Sequence, residues 1–223
     1  MSDTVAVDLP TGTVAVPVIV DAAPDPRTVI VLAHGAGAGP DHPFLAGFAS
    51  AAASAGHDVV RFPFPYVVAG RRMPGPAAHA IAAWRAVIDA VSARADGLPV
   101  VAAGKSYGGR MASMAAAAGE ISPQALAYLG YPLHPPGRPD RPRVAHLPEI
   151  PIPQLFLSGT RDAFVQPWAD LEDAVASCRD AELVPVAGGG HSFEVAATRR
   201  SAAELGSDAA DAVTAWVTRR LAP

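Results

Sequence analysis

Val100-Val101-Ala102-Ala103-Gly104-Lys105-Ser106-Tyr107-Gly108-Gly109-Arg110-Met111 runs from an apolar stretch, through a G-x-S-x-G turn, into a segment of small residues. The apolar run, residues 98–103, is short and does not alternate, as expected of a strand buried on both faces. Residues 109–118 are rich in helix formers and stop at Gly119. Strand, sharp turn carrying Ser106, then helix is the context in which this pattern presents a serine hydroxyl at the edge of a sheet. The glycines have a steric reason. The turn holds Ser106 in a strained backbone conformation, and side chains at Gly104 or Gly108 would collide with the neighbouring strand and helix.

Working outward from this turn, residues 5–9 and 13–20 flank Pro10-Thr11-Gly12 and read as a hairpin. Residues 28–33 form a continuous apolar strand that ends in His34-Gly35-Ala36-Gly37-Ala38-Gly39. A helix is predicted over 43–55, a strand over 57–62, a loop over 63–76 and a long helix over 77–95. Beyond the serine turn come a strand at 124–129 and a Pro-rich excursion over 130–153, too short to be an independent lid domain. A strand at 154–158 leads to Gly159-Thr160-Arg161-Asp162, then a helix at 167–178 and a strand at 182–186. Gly188-Gly189-Gly190-His191 follows, and a helix at 208–221 closes the chain. Alternating strands and helices after an initial hairpin predict an α/β class: a mainly parallel sheet with helices on both faces and an antiparallel start. No repeat or linker divides residues 1–223, which read as a single domain.

The chain has 223 residues, 50% of them hydrophobic, enough for a substantial core. Its net charge of -4, from 17 basic and 21 acidic residues, gives no electrostatic reason to expect nucleic acid or an anionic membrane as partner. The one cysteine, Cys178, excludes an intramolecular disulfide and a multi-cysteine metal site, and reads as a structural residue of a surface helix. Met1-Ser2-Asp3-Thr4 opens no signal-peptide pattern, and no apolar run reaches the ~20 residues of a membrane helix. A soluble cytoplasmic protein is the expectation. Nothing in the pattern speaks to oligomeric state.

Ligands of such sheets bind at the carboxyl ends of the strands. Ser106, Asp162, His191 and the His34–Gly39 turn all follow strands at that edge. A serine hydroxyl is a weak nucleophile and needs a base beside it. An imidazole suits that role, and a carboxylate must hold its tautomer. Ser106, His191 and Asp162 are the candidate catalytic residues, with Asp140 a weaker candidate for the acid. The alternative for Asp162 is a cap on the following helix.

A tetrahedral intermediate needs backbone N–H groups aimed at its oxygen. Tyr107, next to the serine, supplies one, and Ala36 or Gly37 the other. His34 shapes that turn; a phosphate cradle is the competing reading of its glycines. Phe62, Phe64, Tyr66, Trp84 and Trp168 are either lining of an acyl pocket or core. Arg71 and Arg72, adjacent in a loop beside the strand edge, are candidates to hold a substrate carboxylate. Of the seven histidines, His42, His57, His79 and His146 are expected at the surface, and no metal-ligand spacing is found.

These segments resemble the α/β-hydrolase superfamily, in the region of the dienelactone-hydrolase-like enzymes. More narrowly, Gly104-Lys105-Ser106-Tyr107-Gly108-Gly109-Arg110-Met111 and Gly130-Tyr131-Pro132-Leu133-His134-Pro135-Pro136-Gly137 resemble a subgroup whose eukaryotic members include a subunit of a chromatin-modifying complex and a testis-expressed protein. The resemblance implies an eight-stranded, mostly parallel sheet without a cap domain. It implies cofactor-free hydrolysis of a small carboxylic ester, thioester or similar acyl substrate. Dienelactone hydrolases use a cysteine where this chain has Ser106. The subgroup also implies a second reading, a non-catalytic scaffold or interaction module on the same fold. Acyl transfer or peptide cleavage by the same residues is a third.

Overall fold

The computed structural model describes residues 4–196 and 198–221. The reading of Met1-Ser2-Asp3 lies outside them. In chain order the elements are β1 (Thr4–Leu9), β2 (Gly12–Pro17), β3 (Ile19–Asp21), β4 (Thr28–Ala33), α1 (Pro43–Ser54) and β5 (His57–Phe62). Next come α2 (Pro65–Val68), α3 (Ala77–Ser92), β6 (Val100–Lys105), α4 (Tyr107–Ala117) and β7 (Ala125–Leu129). A 3-10 turn at Leu147–Glu149 precedes β8 (Gln154–Gly159), α5 (Trp168–Ala176), β9 (Ala181–Val186) and α6 (Ala202–Leu221).

β4, β6, β7 and β8 are buried at every position, which their unbroken apolar runs require. They form the centre of a seven-stranded sheet in the order β3-β5-β4-β6-β7-β8-β9. β3 runs antiparallel to β5 at one edge, and the other pairs are parallel. The expected eight-stranded sheet is therefore seven strands plus a separate two-stranded hairpin of β1 and β2. The strand expected over 13–20 breaks after Pro17, whose ring nitrogen has no hydrogen to continue a ladder. The first piece stays with β1, and the second crosses to β5.

Successive strand residues point to opposite faces, so the core divides in two. One face packs Ile30, Leu32, Val101 and Leu155 against Phe48 of α1 and Val213 and Trp216 of α6. The other packs Val31, Ala102 and Phe156 against Trp84 of α3, Met111 of α4 and Leu171 of α5; Val7 and Val16 of the hairpin join this side. α1 and α6 touch backbone to backbone. A Cβ at Gly47 would lie 2.1 Å from the Ala203 carbonyl oxygen, and one at Gly206 would lie 2.0 Å from that of Phe44. Among the described residues no helix is long and apolar enough to cross a membrane.

Candidate active site

Ser106 sits between β6 and α4 with φ 49° and ψ -111°, a left-handed conformation that a non-glycine residue rarely adopts. Its amide donates to the Leu129 carbonyl at 3.0 Å, and its carbonyl accepts from Arg110 at 3.0 Å, so both sides of the turn are tied down. The steric expectation holds. A Cβ on Gly104 would lie 2.2 Å from the Gly109 nitrogen, and one on Gly108 2.7 Å from the His34 carbonyl oxygen.

Asp162 and His191 come to this serine from the loops after β8 and β9, two and three strands along the sheet from β6. His191 Nε2 lies 2.8 Å from Ser106 Oγ, and His191 Nδ1 lies 2.7 Å from Asp162 Oδ2. Asp162 is fully buried, and its other oxygen accepts the Phe164 amide at 2.8 Å. It does not cap a helix, because α5 begins later and Pro167 stands at its N-cap. Asp140 is an exposed partner of Arg138 in the Pro-rich segment. The loops after β8 and β9 are laced together: Arg161 N–H donates to the Gly189 carbonyl at 2.9 Å, and Gly188 N–H to Thr160 Oγ1 at 2.8 Å. A Cβ on Gly159 would meet the Gly189 and Gly190 carbonyl oxygens at 2.3 Å, so this seam closes only over glycine.

His34 braces the turn after β4. The Phe64 amide donates to His34 Nε2 at 3.0 Å, so the ring hydrogen is on Nδ1, which donates to the Gly35 carbonyl at 2.8 Å. Burial lowers the His34 pKa, keeping the ring neutral. The Gly37 amide donates to Tyr66 Oη at 3.3 Å. Of the two candidates in this turn, that leaves Ala36 as the one on the cavity beside Ser106. Tyr107 occupies the first position of α4.

A cavity of about 280 Å³ opens on Ser106 and His191, with Ala36, Phe44, Leu45 and Phe164 among its walls. Its aromatic walls are Phe44 and Phe164, and of the two readings open for the other aromatics the core one holds for Phe62, Phe64, Tyr66 and Trp84. Trp168 donates its indole N–H to Glu172. The signal for the real walls was position: Phe44 lies in the first turn of the helix after the glycine turn, and Phe164 stands two residues past Asp162. Arg71 borders a separate hollow of about 160 Å³ beside Tyr66 and Tyr107, and Arg72 is exposed; neither lines the cavity at Ser106.

His57, expected at the surface, lies inside the protein. It is buried at 1% exposure, with Nδ1 2.6 Å from Thr28 Oγ1 across the β4–β5 pair. The Thr28 hydroxyl gives the imidazole a partner inside. His146 is half-buried, 2.7 Å from Ser113 Oγ, and burial beside Arg110 pushes its pKa down to about 4. Cys178 is half-buried, its thiol pushed up to about 11. Among the described residues no group of three or more His, Cys, Asp or Glu side chains is placed to hold a metal ion.

A mostly parallel sheet, a strained serine at a strand-to-helix turn and a histidine on that serine define a nucleophile-elbow α/β protein. The chain belongs to the α/β-hydrolase family, whose model, described as an alpha/beta hydrolase domain, matches residues 26–218. Among solved structures it is similar to an alpha-beta serine hydrolase homologue from Coxiella burnetii, with a TM-score of 0.71 at 17% identity over 100% of this chain and 98% of that one. It is also similar to a dienelactone hydrolase from Anabaena variabilis, with a TM-score of 0.74 at 20% identity over 97% and 96%. An α/β serine hydrolase without lid from Xanthomonas campestris gives 0.67 at 23% over 97% and 96%. At these identities the likeness is one of fold. A search of curated proteins found no match.

Proposed function

We propose that this protein is a serine hydrolase that cleaves a small carboxylic ester or thioester through an acyl-enzyme. The 2.8 Å contact between His191 Nε2 and Ser106 Oγ carries this reading, supported by the 2.7 Å contact from His191 to buried Asp162. His191 Nε2 takes the Ser106 proton as Oγ attacks the carbonyl carbon. Asp162 accepts from Nδ1–H, fixing the tautomer and stabilising the imidazolium. The amides of Ala36 and Tyr107 receive the oxyanion. In favour of Tyr107, the first amides of a helix have no intrahelical partner and carry its positive dipole end. The intermediate collapses as His191 protonates the leaving alcohol or thiol. Water, deprotonated by the same imidazole, then releases the acid.

The small apolar cavity supports a short or compact acyl group. In this reading Arg71 and Arg72 meet a carboxylate on the outer part of a longer substrate, supported by the hollow that Arg71 borders beside Tyr107. The Gly130–Gly137 stretch supports membership of the narrower subgroup named above.

A fluorophosphonate probe tests the proposal by intact mass. One adduct on the wild type and none on Ser106→Ala is expected, followed by turnover of p-nitrophenyl esters and acyl thioesters. A folded wild type that takes no adduct would leave the non-catalytic scaffold reading standing instead.

A further inference from the structure

Lys105, the only lysine of the chain, ends β6 immediately before Ser106. It is 9% exposed. A buried ammonium is unfavourable unless a carboxylate pairs with it, yet among the described residues Lys105 is in no ion pair. Its hydrogen bond goes to a neutral group: Nζ donates to the main-chain carbonyl of His191 at 2.7 Å, across 86 positions of sequence. The rings of Phe44 and Phe193 flank the ammonium at 5.9 and 5.7 Å, within cation–π range. Gly130 makes the meeting possible. A Cβ there would lie 3.3 Å from Lys105 Nζ and 2.9 Å from the His191 carbonyl oxygen. Burial pulls the lysine pKa down to about 8 against the opposing pull of Asp162 and Glu194.

We propose that Lys105 is a positioning residue for the hydrolytic reaction: a tether that holds the His191 loop in register with Ser106. This rests on the reading of Ser106 and His191 as nucleophile and base. Because Lys105 and Ser106 are adjacent, the backbone that places the nucleophile also places the anchor of the base. The His191–Ser106 contact of 2.8 Å tolerates little drift, and a shift of ~1 Å in such a pair lowers rate by ~100-fold. A residue serving the fold alone would be better as methionine, which fills the slot without a desolvated charge.

Lys105→Met tests this with three readouts. The variant should melt at or above the wild-type temperature. It should react with a fluorophosphonate, and turn over p-nitrophenyl acetate, about 10- to 100-fold more slowly, the loss falling mainly on kcat even though Lys105 also borders the cavity. The amides of Gly190 and Phe193, bonded within the His191 loop, should exchange hydrogen faster while those of β4 and β6 do not change. Wild-type labelling, turnover and exchange in the folded variant would overturn the proposal. Should Lys105→Met fail to melt cooperatively, Lys105→Gln is judged by the same criteria. A wild type that does not label would remove the hydrolase reading, and exchange alone would then decide whether the tether exists.

Discussion

The ring of Phe164 lies 4.2 Å from the imidazole of His191, centroid to centroid, with the planes tilted by 32°. The amide of the same residue donates to Asp162 at 2.8 Å. One residue therefore steadies the imidazole by its side chain and the carboxylate by its backbone, and it also walls the cavity. Phe164→Ala keeps the amide bond and removes the ring. It is expected to lower kcat for a p-nitrophenyl ester by about 10-fold through loosened alignment, with KM rising as the wall opens. Unchanged values of both would show that the ring is a bystander.

The proposed roles of Ser106 and Asp162 differ in what their loss should do. Ser106→Ala is expected to lower turnover by on the order of 10⁶-fold. Asp162→Asn leaves a hydrogen-bonding group but the wrong tautomer partner for His191, and is expected to lower kcat by roughly 10⁴-fold. Steady-state rates and thermal melts on the same preparations separate these losses from misfolding.

His34 serves two backbone groups with one neutral ring. His34→Ala would leave the buried Phe64 amide without its acceptor and free the turn that holds Ala36. A destabilisation of about 2–4 kcal/mol is expected, from the lost bonds and the space left behind. Denaturant unfolding measures it. His34→Gln, which can restore one of the two bonds, should recover part of it.

Acid should destabilise the protein through buried histidines. Burial lowers the pKa of His34, His57 and His146, the last to about 4, with Arg27 adding to the effect on His57 and Arg110 to that on His146. The unfolded chain takes up these protons near pH 6.5 while the folded chain resists, so stability is full above that pH and falls as pH drops through the window. For His146 the window runs from 6.5 to about 4. The limit is about 1.4 kcal/mol per pH unit for each histidine. Thermal melts between pH 7 and 4 should show the slope, and His146→Gln should reduce it.

Lys105 acts at the other end of the scale. Its pKa falls from 10.5 to about 8 on folding, which corresponds to about 3 kcal/mol of destabilisation while it is charged in both states. Between pH 8 and 10.5 the unfolded lysine keeps a proton that the folded one has lost, so this contribution to stability rises with pH. The groups facing it are the carboxylates of Asp162 and Glu194, and the His191 loop. The raised Cys178 thiol pulls the other way above pH 9, so the lysine is read as a difference: the stability gap between Lys105→Met and wild type, from urea midpoints, should narrow between pH 7.5 and 10.5.

The central strands and the serine turn were legible because their cause is local. An unbroken apolar run has to be covered on both sides, and Gly104 and Gly108 are needed for sterics that one turn defines. The chain order of Ser106, Asp162 and His191 pointed to one sheet edge, where the structure brings them together. What was not legible depends on contacts distant in sequence. Only the register of β4 on β5 sets Thr28 against His57 and makes a buried imidazole tolerable. Arg71 reads as a neighbour of the serine until the backbone carries it to the hollow next door. Lys105 stood in plain view inside the motif, but its partner lies at the far end of the chain and is a carbonyl, which leaves no mark on sequence.

The glycine contacts between α1 and α6 separate where substrate is sensed from where its container is set. Phe44 and Leu45 face the cavity, yet their helix is seated against Ala203 and Gly206, and no residue of α6 lines that space. Volume added at this seam would move the wall while leaving Ser106, His191 and Asp162 unaltered. On the hydrolase reading, a change at the back of the molecule would then retune which acyl group fits without touching Ser106, His191 or Asp162.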